Sequence, residues 1–316
     1  MLERIKLERL KTRLGGDEPS RDYLSTLRKG RAASHDGTAV AYEVLGEGEK
    51  TIVLANGLGG RLYAWEDLLG PLWRSYRIIT WDYRGLFDST CDHRRLAVVH
   101  HADDLESILN TEGVQKAVFV GWSMGVQVSL EFAGSHPDLV AGLVLINGTY
   151  GHALSTGFQP FFSVPFLPKR LHSFLEFFRR RPELLDYVAR GARLAELPTA
   201  AAFSLTAGPM VLRHKKLFHQ YFEDVLGPSF PNYLRLFQEL DAHSAYHLLP
   251  DIHAPALVVS GALDPLTPAS QSREMARRLP DAEHLELFRA GHFALMERPD
   301  VVVPAIQAFL TNRARF

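Results

Sequence analysis

The stretch Ala117-Val118-Phe119-Val120-Gly121-Trp122-Ser123-Met124-Gly125 decides the fold of this chain. Its apolar start predicts a buried strand, and the residues after it predict a helix, so the chain turns directly from one into the other. A turn with the pattern G-x-S-x-G holds a serine hydroxyl on a strained, exposed tip. Gly121 and Gly125 stand where a Cβ would collide as strand and helix cross. The pattern predicts that Ser123 is a displayed nucleophile; the alternative is an ordinary glycine-rich turn.

The composition is typical of a globular enzyme with one large domain, or with a core domain and an insertion. The chain has 316 residues, of which 46% are hydrophobic and 22% charged, and its formal net charge is -1. This balance argues against extended disorder and against nucleic acid as a partner. The single cysteine, Cys91, excludes an intramolecular disulfide and is expected to pack rather than to react.

The first 34 residues predict a basic helical extension. Residues 1–31 carry nine Lys/Arg against five Asp/Glu, with Leu7, Leu10 and Leu14 at helical spacing. Such a helix packs on its own body, joins a second subunit in a homodimer, or lies on an anionic membrane surface, and we favour the first two. Because no secretory signal and no apolar stretch of about 18 residues is present, we expect a cytoplasmic protein.

From Thr38 onward short apolar runs alternate with helical patterns, which predicts a mostly parallel sheet flanked by helices. The predicted strands are Thr38–Val44, Thr51–Ala55, Tyr76–Trp81, Ala117–Gly121, Gly142–Ile146, Ala256–Gly261 and His284–Phe288. The pattern between the fifth and sixth of these strands is helical, over Leu171–Phe178, Pro182–Leu194, Met210–Leu226 and Tyr233–Leu248. We interpret residues 150–249 as a helical lid inserted after the strand at 142–146, and residues 35–149 and 250–316 as the core.

The lid region is rich in phenylalanine, including Phe161, Phe162 and Phe166. Because such closely spaced rings cannot all face inward on one regular helix, we expect some of them to line a substrate cleft or to touch a partner. Alternatively, they form the core of the lid itself. Trp122, beside the serine, either packs in the core or shapes the substrate pocket.

A serine hydroxyl becomes a good nucleophile only when a neighbouring base takes its proton and a carboxylate orients that base. Asp264 follows the strand Ala256–Gly261, and His292 follows the next strand along the chain. Both therefore belong at the same end of the sheet as Ser123. The order Ser123, Asp264, His292 predicts a catalytic triad, against a turn role for Asp264 and a buried structural role for His292.

Over about residues 35 to 312 the chain resembles the α/β-hydrolase fold family. The matching segments are Asn56-Gly57-Leu58-Gly59-Gly60, Asp82-Tyr83-Arg84-Gly85, Gly121-Trp122-Ser123-Met124-Gly125, Gly261-Ala262-Leu263-Asp264-Pro265 and Gly291-His292-Phe293. The resemblance implies a lidded hydrolase that needs neither cofactor nor metal. It also implies an oxyanion hole formed by the backbone N–H groups of Leu58 and Met124.

Two positions depart from the family pattern. Asn56 replaces the usual histidine before Gly57; its amide still donates and accepts hydrogen bonds but does not titrate. Phe87 stands where the family places a glycine, so we expect an altered path for the Asp82–Ser89 loop. Arg84 in that loop is expected to brace neighbouring loops and to have no catalytic role.

A serine nucleophile argues against haloalkane dehalogenases and epoxide hydrolases, which carry aspartate at this position. We predict a carboxylic ester hydrolase, similar to serine esterases and lipases, that cleaves small-molecule esters of apolar acyl or aryl groups through an acyl-enzyme. The same triad also serves cofactor-free perhydrolases or haloperoxidases, carbon–carbon bond hydrolases and acyltransferases. A non-catalytic ligand receptor is the alternative of another class.

Overall fold

A single twisted sheet organises the protein. The computed structural model describes residues 22–90, 95–153, 173, 177, 215–226 and 230–316. The strands are β1 (Arg28–Ala33), β2 (Ala39–Leu45), β3 (Lys50–Ala55), β4 (Tyr76–Trp81), β5 (Ala117–Trp122), β6 (Val140–Ile146), β7 (Ala256–Gly261) and β8 (Ala282–Leu287). They lie in the order β1-β2-β4-β3-β5-β6-β7-β8. β2 is antiparallel to both its neighbours, and the other pairs are parallel.

Helices cover both faces of this sheet. The α-helices among the described residues are α1 (Glu66–Leu72), α2 (Val98–Thr111), α3 (Met124–Ser135), α4 (Lys215–Val225), α5 (Phe230–Ala242), α6 (Ala269–Arg278), α7 (Ala294–Glu297) and α8 (Pro299–Asn312). Buried side chains of α2 and α3 belong to one hydrophobic cluster, and those of α1 and α8 belong to a second. Because both faces are covered, the central strands are apolar throughout, as in the fully buried β5 and β6.

The seven predicted strands are confirmed, with boundaries shifted by a few residues. The eighth strand, β1, was not predicted: residues 28–33, which the sequence analysis placed in a helical extension over residues 1–34, instead pair with β2 at the edge of the sheet. Residues 1–21 of that predicted extension lie outside the described residues. Its sequence, RKGRAA, carries no apolar alternation because only Ala32 is buried. Backbone pairing with β2 and an ion pair hold β1 in place instead. Arg28 of β1 binds Glu112, which also accepts a hydrogen bond from Tyr42 of β2.

The segment between β6 and β7, which we call the insertion, is helical where it is described. Its helices α4 and α5 correspond to the predicted segments Met210–Leu226 and Tyr233–Leu248. The predicted segments Leu171–Phe178 and Pro182–Leu194 lie almost wholly outside the described residues. Gly151 and Ser244 form an isolated bridge near the two ends of the insertion. None of the helices in the described ranges combines the length and apolar character needed to cross a membrane.

Arg84 braces the loops at one end of the sheet, as its position in the sequence indicated. Its side chain is 1% exposed and donates to both carboxylate oxygens of Asp104, with Nε 2.9 Å from Oδ2. It also donates to Asp36 at 2.9 Å and to Ser34 at 3.2 Å, in the turn between β1 and β2. One guanidinium therefore joins the β1–β2 hairpin to helix α2.

We predict that Asp104→Asn lowers the free energy of unfolding by about 3 kcal/mol, because removing one partner leaves a buried charge incompletely paired. Urea denaturation followed by circular dichroism measures this loss. Asp300→Asn, in the exposed pair with Arg298, is the matched control and should leave the midpoint unchanged. Equal midpoints for the wild type and Asp104→Asn would contradict a structural role for this pair.

Candidate active site

Ser123 lies at the turn between β5 and α3 in a strained conformation. Its φ is 55° and its ψ is -115°, which side-chain-bearing residues rarely adopt. A Cβ on Gly125 would lie 2.0 Å from the carbonyl oxygen of Ala55, and one on Gly121 would lie 2.5 Å from that of Gly125. Both glycines are therefore required by the close crossing of α3 over the sheet, which fixes the direction of the serine.

The structure brings the three predicted triad residues together. His292 Nε2 lies 3.0 Å from Ser123 Oγ, and His292 Nδ1 lies 2.9 Å from Asp264 Oδ2. Ser123 follows β5, Asp264 follows β7, and His292 follows β8, all at the carboxyl ends of parallel strands. Their side chains form one continuous chain of hydrogen bonds from hydroxyl to carboxylate, the geometry that activates a serine.

The Asp264 carboxylate is buried but well supplied with donors. Oδ1 accepts the backbone N–H groups of Leu266 and Thr267, and Oδ2 accepts the Thr267 hydroxyl at 2.6 Å. Burial alone would raise the pKa of Asp264, but the facing His292 and the Thr267 donors together hold that pKa below its usual value. Asp264 is therefore ionised at neutral pH and can orient the imidazole.

Two further side chains position the triad, and the sequence analysis missed both. Asn147 directly follows β6 with φ 45°, and its amide donates to Asp264 Oδ2 at 2.8 Å and to the carbonyl of Gly291 at 2.9 Å. Glu297 accepts the N–H groups of Gly291 and Phe293, on either side of His292. A polar residue directly after a buried strand was the available signal for Asn147; no comparable signal marks Glu297.

The loop Asn56–Gly60, which we call the oxyanion loop, follows β3 beside the serine. Asn56 is buried and braces it: its amide donates to Thr80 and to the carbonyl of Trp81, and it accepts the indole N–H of Trp65 at 2.7 Å. The hydrogen bonds of Asn56 thus hold the start of the loop in place without a titratable side chain. Met124 is the first residue of α3, so its N–H has no acceptor within the helix and lies at the positive end of the helix dipole.

Trp122 packs between the oxyanion loop and His292. Its ring lies where a Cβ on Gly57 or Gly60 would stand, at 2.7 and 3.0 Å, and its indole N–H donates to the carbonyl of His292 at 3.0 Å. The side chain is buried. Its predicted contact with substrate stays a prediction, and Phe161, Phe162 and Phe166 lie outside the described residues.

A polar cavity of about 430 Å³ lies beside the oxyanion loop, with Arg61, Asp82 and Asp88 in its lining. Arg61 pairs with Asp82 at 3.3 Å, and its guanidinium stacks 4.4 Å from the ring of Phe87. Phe87 adopts φ 51°, so the loop keeps a backbone conformation that favours glycine. Burial raises the pKa of Asp82 to about 6 even though Arg61 opposes the shift.

Comparison with known proteins places this geometry in context. Residues 50–299 match a protein family described as the alpha/beta hydrolase fold. The chain is 28% identical over 267 residues to "Putative carbamate hydrolase RutD" of Caulobacter vibrioides, covering 83% of this chain and 91% of that protein. A protein of the same name from Pseudomonas syringae pv. syringae is 29% identical over 273 residues, covering 83% of this chain and 94% of the relative.

Solved structures share the architecture at lower identity. The enol-lactonase of Burkholderia xenovorans superposes with a TM-score of 0.74 at 23% identity, over 90% of this chain and 100% of that one. A thermophilic esterase of Thermogutta terrifontis superposes with a TM-score of 0.72 at 22% identity, over 91% and 99% of the two chains. At these identities the comparison shows a common fold and leaves the reaction open.

We predict that Gly125→Ala lowers the free energy of unfolding by about 3 kcal/mol or more, because the new methyl group would overlap the carbonyl of Ala55. Thermal or urea unfolding measures the change. Gly70→Ala is the control: nothing lies within 4 Å of the added Cβ, and the change should stay below about 1 kcal/mol. Equal, small effects at both glycines would contradict the close crossing.

Asp82 predicts a pH-dependent stability. Because its folded-state pKa of about 6 lies above the ordinary value of about 4, its contribution is fully present below pH ~4 and is lost as the pH rises through about 6. The free energy of unfolding of the wild type, relative to Asp82→Asn, should therefore fall between pH ~4 and pH ~7. Urea titrations of both proteins across this range measure the difference, which would be flat if Asp82 were not buried.

Proposed function

Because the chain belongs to the α/β-hydrolase fold family, we propose that it is a serine hydrolase that cleaves carboxylic esters of apolar acyl or aryl groups through an acyl-enzyme. The observation that carries this proposal is the continuous hydrogen-bonded chain from Ser123 through His292 to Asp264. In it Ser123 is the nucleophile, His292 the general base and acid, and Asp264 the group that holds the imidazole tautomer.

In the first half of the reaction, Ser123 Oγ attacks the ester carbonyl carbon while His292 Nε2 takes the hydroxyl proton. The carbonyl oxygen becomes an oxyanion, which the N–H groups of Leu58 and Met124 stabilise. Collapse of the tetrahedral intermediate re-forms the carbonyl and breaks the bond to the alcohol oxygen. His292 delivers its proton to that oxygen, so the alcohol leaves neutral and the acyl group stays on Ser123.

Water completes the cycle by the same route. His292 takes a proton from water, the hydroxide attacks the acyl carbon, and the second tetrahedral intermediate releases the acid while Ser123 Oγ recovers the proton from His292. Throughout, the ionised Asp264 stabilises the imidazolium. Besides water, the steps use only the side chains and backbone groups already described.

Aromatic rings around the histidine support an apolar acyl or aryl substrate. Phe293 lies edge-on to His292 with ring centroids 5.6 Å apart, and it contacts Phe218 at 5.0 Å and Tyr221 at 6.2 Å, both from helix α4 of the insertion. Phe218 and Phe293 are themselves buried, so they make the surroundings of the histidine apolar. An acyl group that enters such surroundings gains about 25 cal/mol for each Å² of apolar surface that it buries. Highly charged esters would lose solvation there.

Carbamate hydrolysis is the second candidate, because the curated relatives at 28–29% identity carry that activity in their names. The carbonyl of a carbamate is attacked by the same serine and forms the same kind of oxyanion. It is a weaker electrophile than an ester carbonyl, since the nitrogen lone pair is delocalised into it. Ester and carbamate hydrolysis therefore use the same catalytic groups and differ in which substrates the insertion allows to reach Ser123.

We predict that Ser123→Ala loses a factor of about 10⁴ to 10⁶ in kcat against p-nitrophenyl esters, because no other hydroxyl replaces the nucleophile.

Along the series from acetate to decanoate, kcat/KM of the wild type should rise about three- to fourfold for each methylene that the site buries. Release of p-nitrophenolate measures both effects. A matched series of p-nitrophenyl carbamates tests the second candidate in the same assay.

Ser135→Ala, at the other end of helix α3, is the matched control and should keep full activity. Circular dichroism melts should show that both variants fold. Turnover by Ser123→Ala equal to that of the wild type would refute the assignment of the nucleophile. Turnover of carbamates with none of the esters would favour the second candidate.

A further inference from the structure

We propose that Tyr221, on helix α4 of the insertion, is a positioning residue for the oxyanion hole, holding the oxyanion loop in its catalytic shape through a hydrogen bond to the carbonyl of Leu58. This inference rests on the proposed function, since it assigns a role in the same reaction. It extends that function because it makes the insertion part of the catalytic machinery and not only a cover over the substrate.

The bond itself is short and protected. The Tyr221 hydroxyl donates to Leu58 O at 2.6 Å. Burial, with Asp224 nearby, raises the pKa of Tyr221, so the phenol stays protonated and remains a donor throughout the neutral and mildly alkaline range. A peptide group is planar, so fixing the carbonyl of Leu58 fixes the whole Leu58–Gly59 peptide. Only the two backbone torsions of Leu58 then separate that fixed plane from the Leu58 N–H, which the proposed function assigns to the oxyanion hole.

Asn56 braces the first residue of the oxyanion loop, and the glycine-rich turn beyond it is where a further support has the most effect. Gly59 has φ +85°, and the tight turn closes with a bond from Gly60 N–H to Gly57 O at 2.8 Å. Glycine-rich turns have many accessible conformations, so their geometry depends on outside contacts. A rigid turn is valuable here because preorganised donors contribute most to stabilising a developing charge.

The insertion also contacts this loop at Gly59. A Cβ on Gly59 would lie 2.7 Å from Val225 of α4 and 3.0 Å from the ring of Tyr233 of α5. From the opposite side, the ring of Trp122 fills the space beside Gly57 and Gly60. The loop is therefore held between the core and the two insertion helices, and the Tyr221 bond fixes its orientation within that space.

Tyr63 makes a weaker version of the same contact. Its hydroxyl lies 3.3 Å from the carbonyl of Gly59 and 3.1 Å from Asp224, a better acceptor because it is a carboxylate. A single phenol proton cannot serve both fully. Of the two phenols, Tyr221 therefore gives the loop the stronger hydrogen bond, and it is supplied by the insertion.

The test uses Tyr221→Phe in the full chain, which keeps the ring contacts with Trp122 and Phe293 and removes only the hydroxyl. Because the negative charge on the carbonyl oxygen develops only after the substrate has bound, in the transition states and the tetrahedral intermediate, we expect kcat for a p-nitrophenyl ester to fall about tenfold while KM stays within about twofold. Phosphorylation of Ser123 by diethyl p-nitrophenyl phosphate, in which Ser123 Oγ bonds to phosphorus and p-nitrophenolate leaves, should slow by a similar factor. Tyr246→Phe, whose hydroxyl bonds to Glu274 instead, is the matched control and should change neither rate.

An unchanged kcat in Tyr221→Phe, or a raised KM with kcat intact, would overturn the positioning role. So would equal losses in Tyr221→Phe and Tyr246→Phe together with lowered melting temperatures, since that result means general destabilisation. Failure of the proposed function looks different: the wild type would then neither turn over esters in a Ser123-dependent way nor be phosphorylated at Ser123.

Discussion

The site depends on one close approach, that of helix α3 to strand β3 at Gly125 and Ala55. With a Cβ excluded there, the chain can leave β5 and enter α3 within one residue, and Ser123 is forced into its strained conformation. The strain is local, but it sets the distance to His292 and the direction of the first helical N–H. The large apolar cores on both faces of the sheet hold it in place, since relaxing the turn would require α3 to lift off the strands that it covers.

Burial of charge is the second constraint. The Asp264 carboxylate and the Arg84 guanidinium are both nearly inaccessible, and each is surrounded by enough partners to make the ionised form the stable one. Around Asp264 these partners come from the strand ends β6 and β7, through Asn147 and Thr267. The sheet thus supplies the dry environment and the hydrogen bonds together, and these hold the imidazole of His292 in line with Ser123.

The residues with local signals were predictable from the sequence. Ser123, Asp264 and His292 each follow a recognisable apolar strand, and parallel strands place such residues at one edge. Strand β1 was not predictable, because an edge strand with one buried residue has no hydrophobic period. Glu297 acts through the N–H groups of Gly291 and Phe293, which are close in the sequence but carry no pattern that marks the contact. Tyr221 acts through the carbonyl of Leu58, which is distant in the sequence, and only the folded chain brings the two together. The role of Trp122 was left open for the same reason: its partners lie at positions 57, 60 and 292.

The position of Trp122 has a consequence for redesign of the protein. The indole of Trp122 contacts both the oxyanion loop and the carbonyl of His292. Replacing Trp122 with a smaller residue to enlarge the pocket would therefore loosen the loop and the histidine together. Selection for new substrates is therefore constrained at the residue nearest the nucleophile. Helices α4 and α5 tolerate more change at side chains that do not contact the oxyanion loop. Substitutions there can alter substrate specificity while the catalytic groups stay in place.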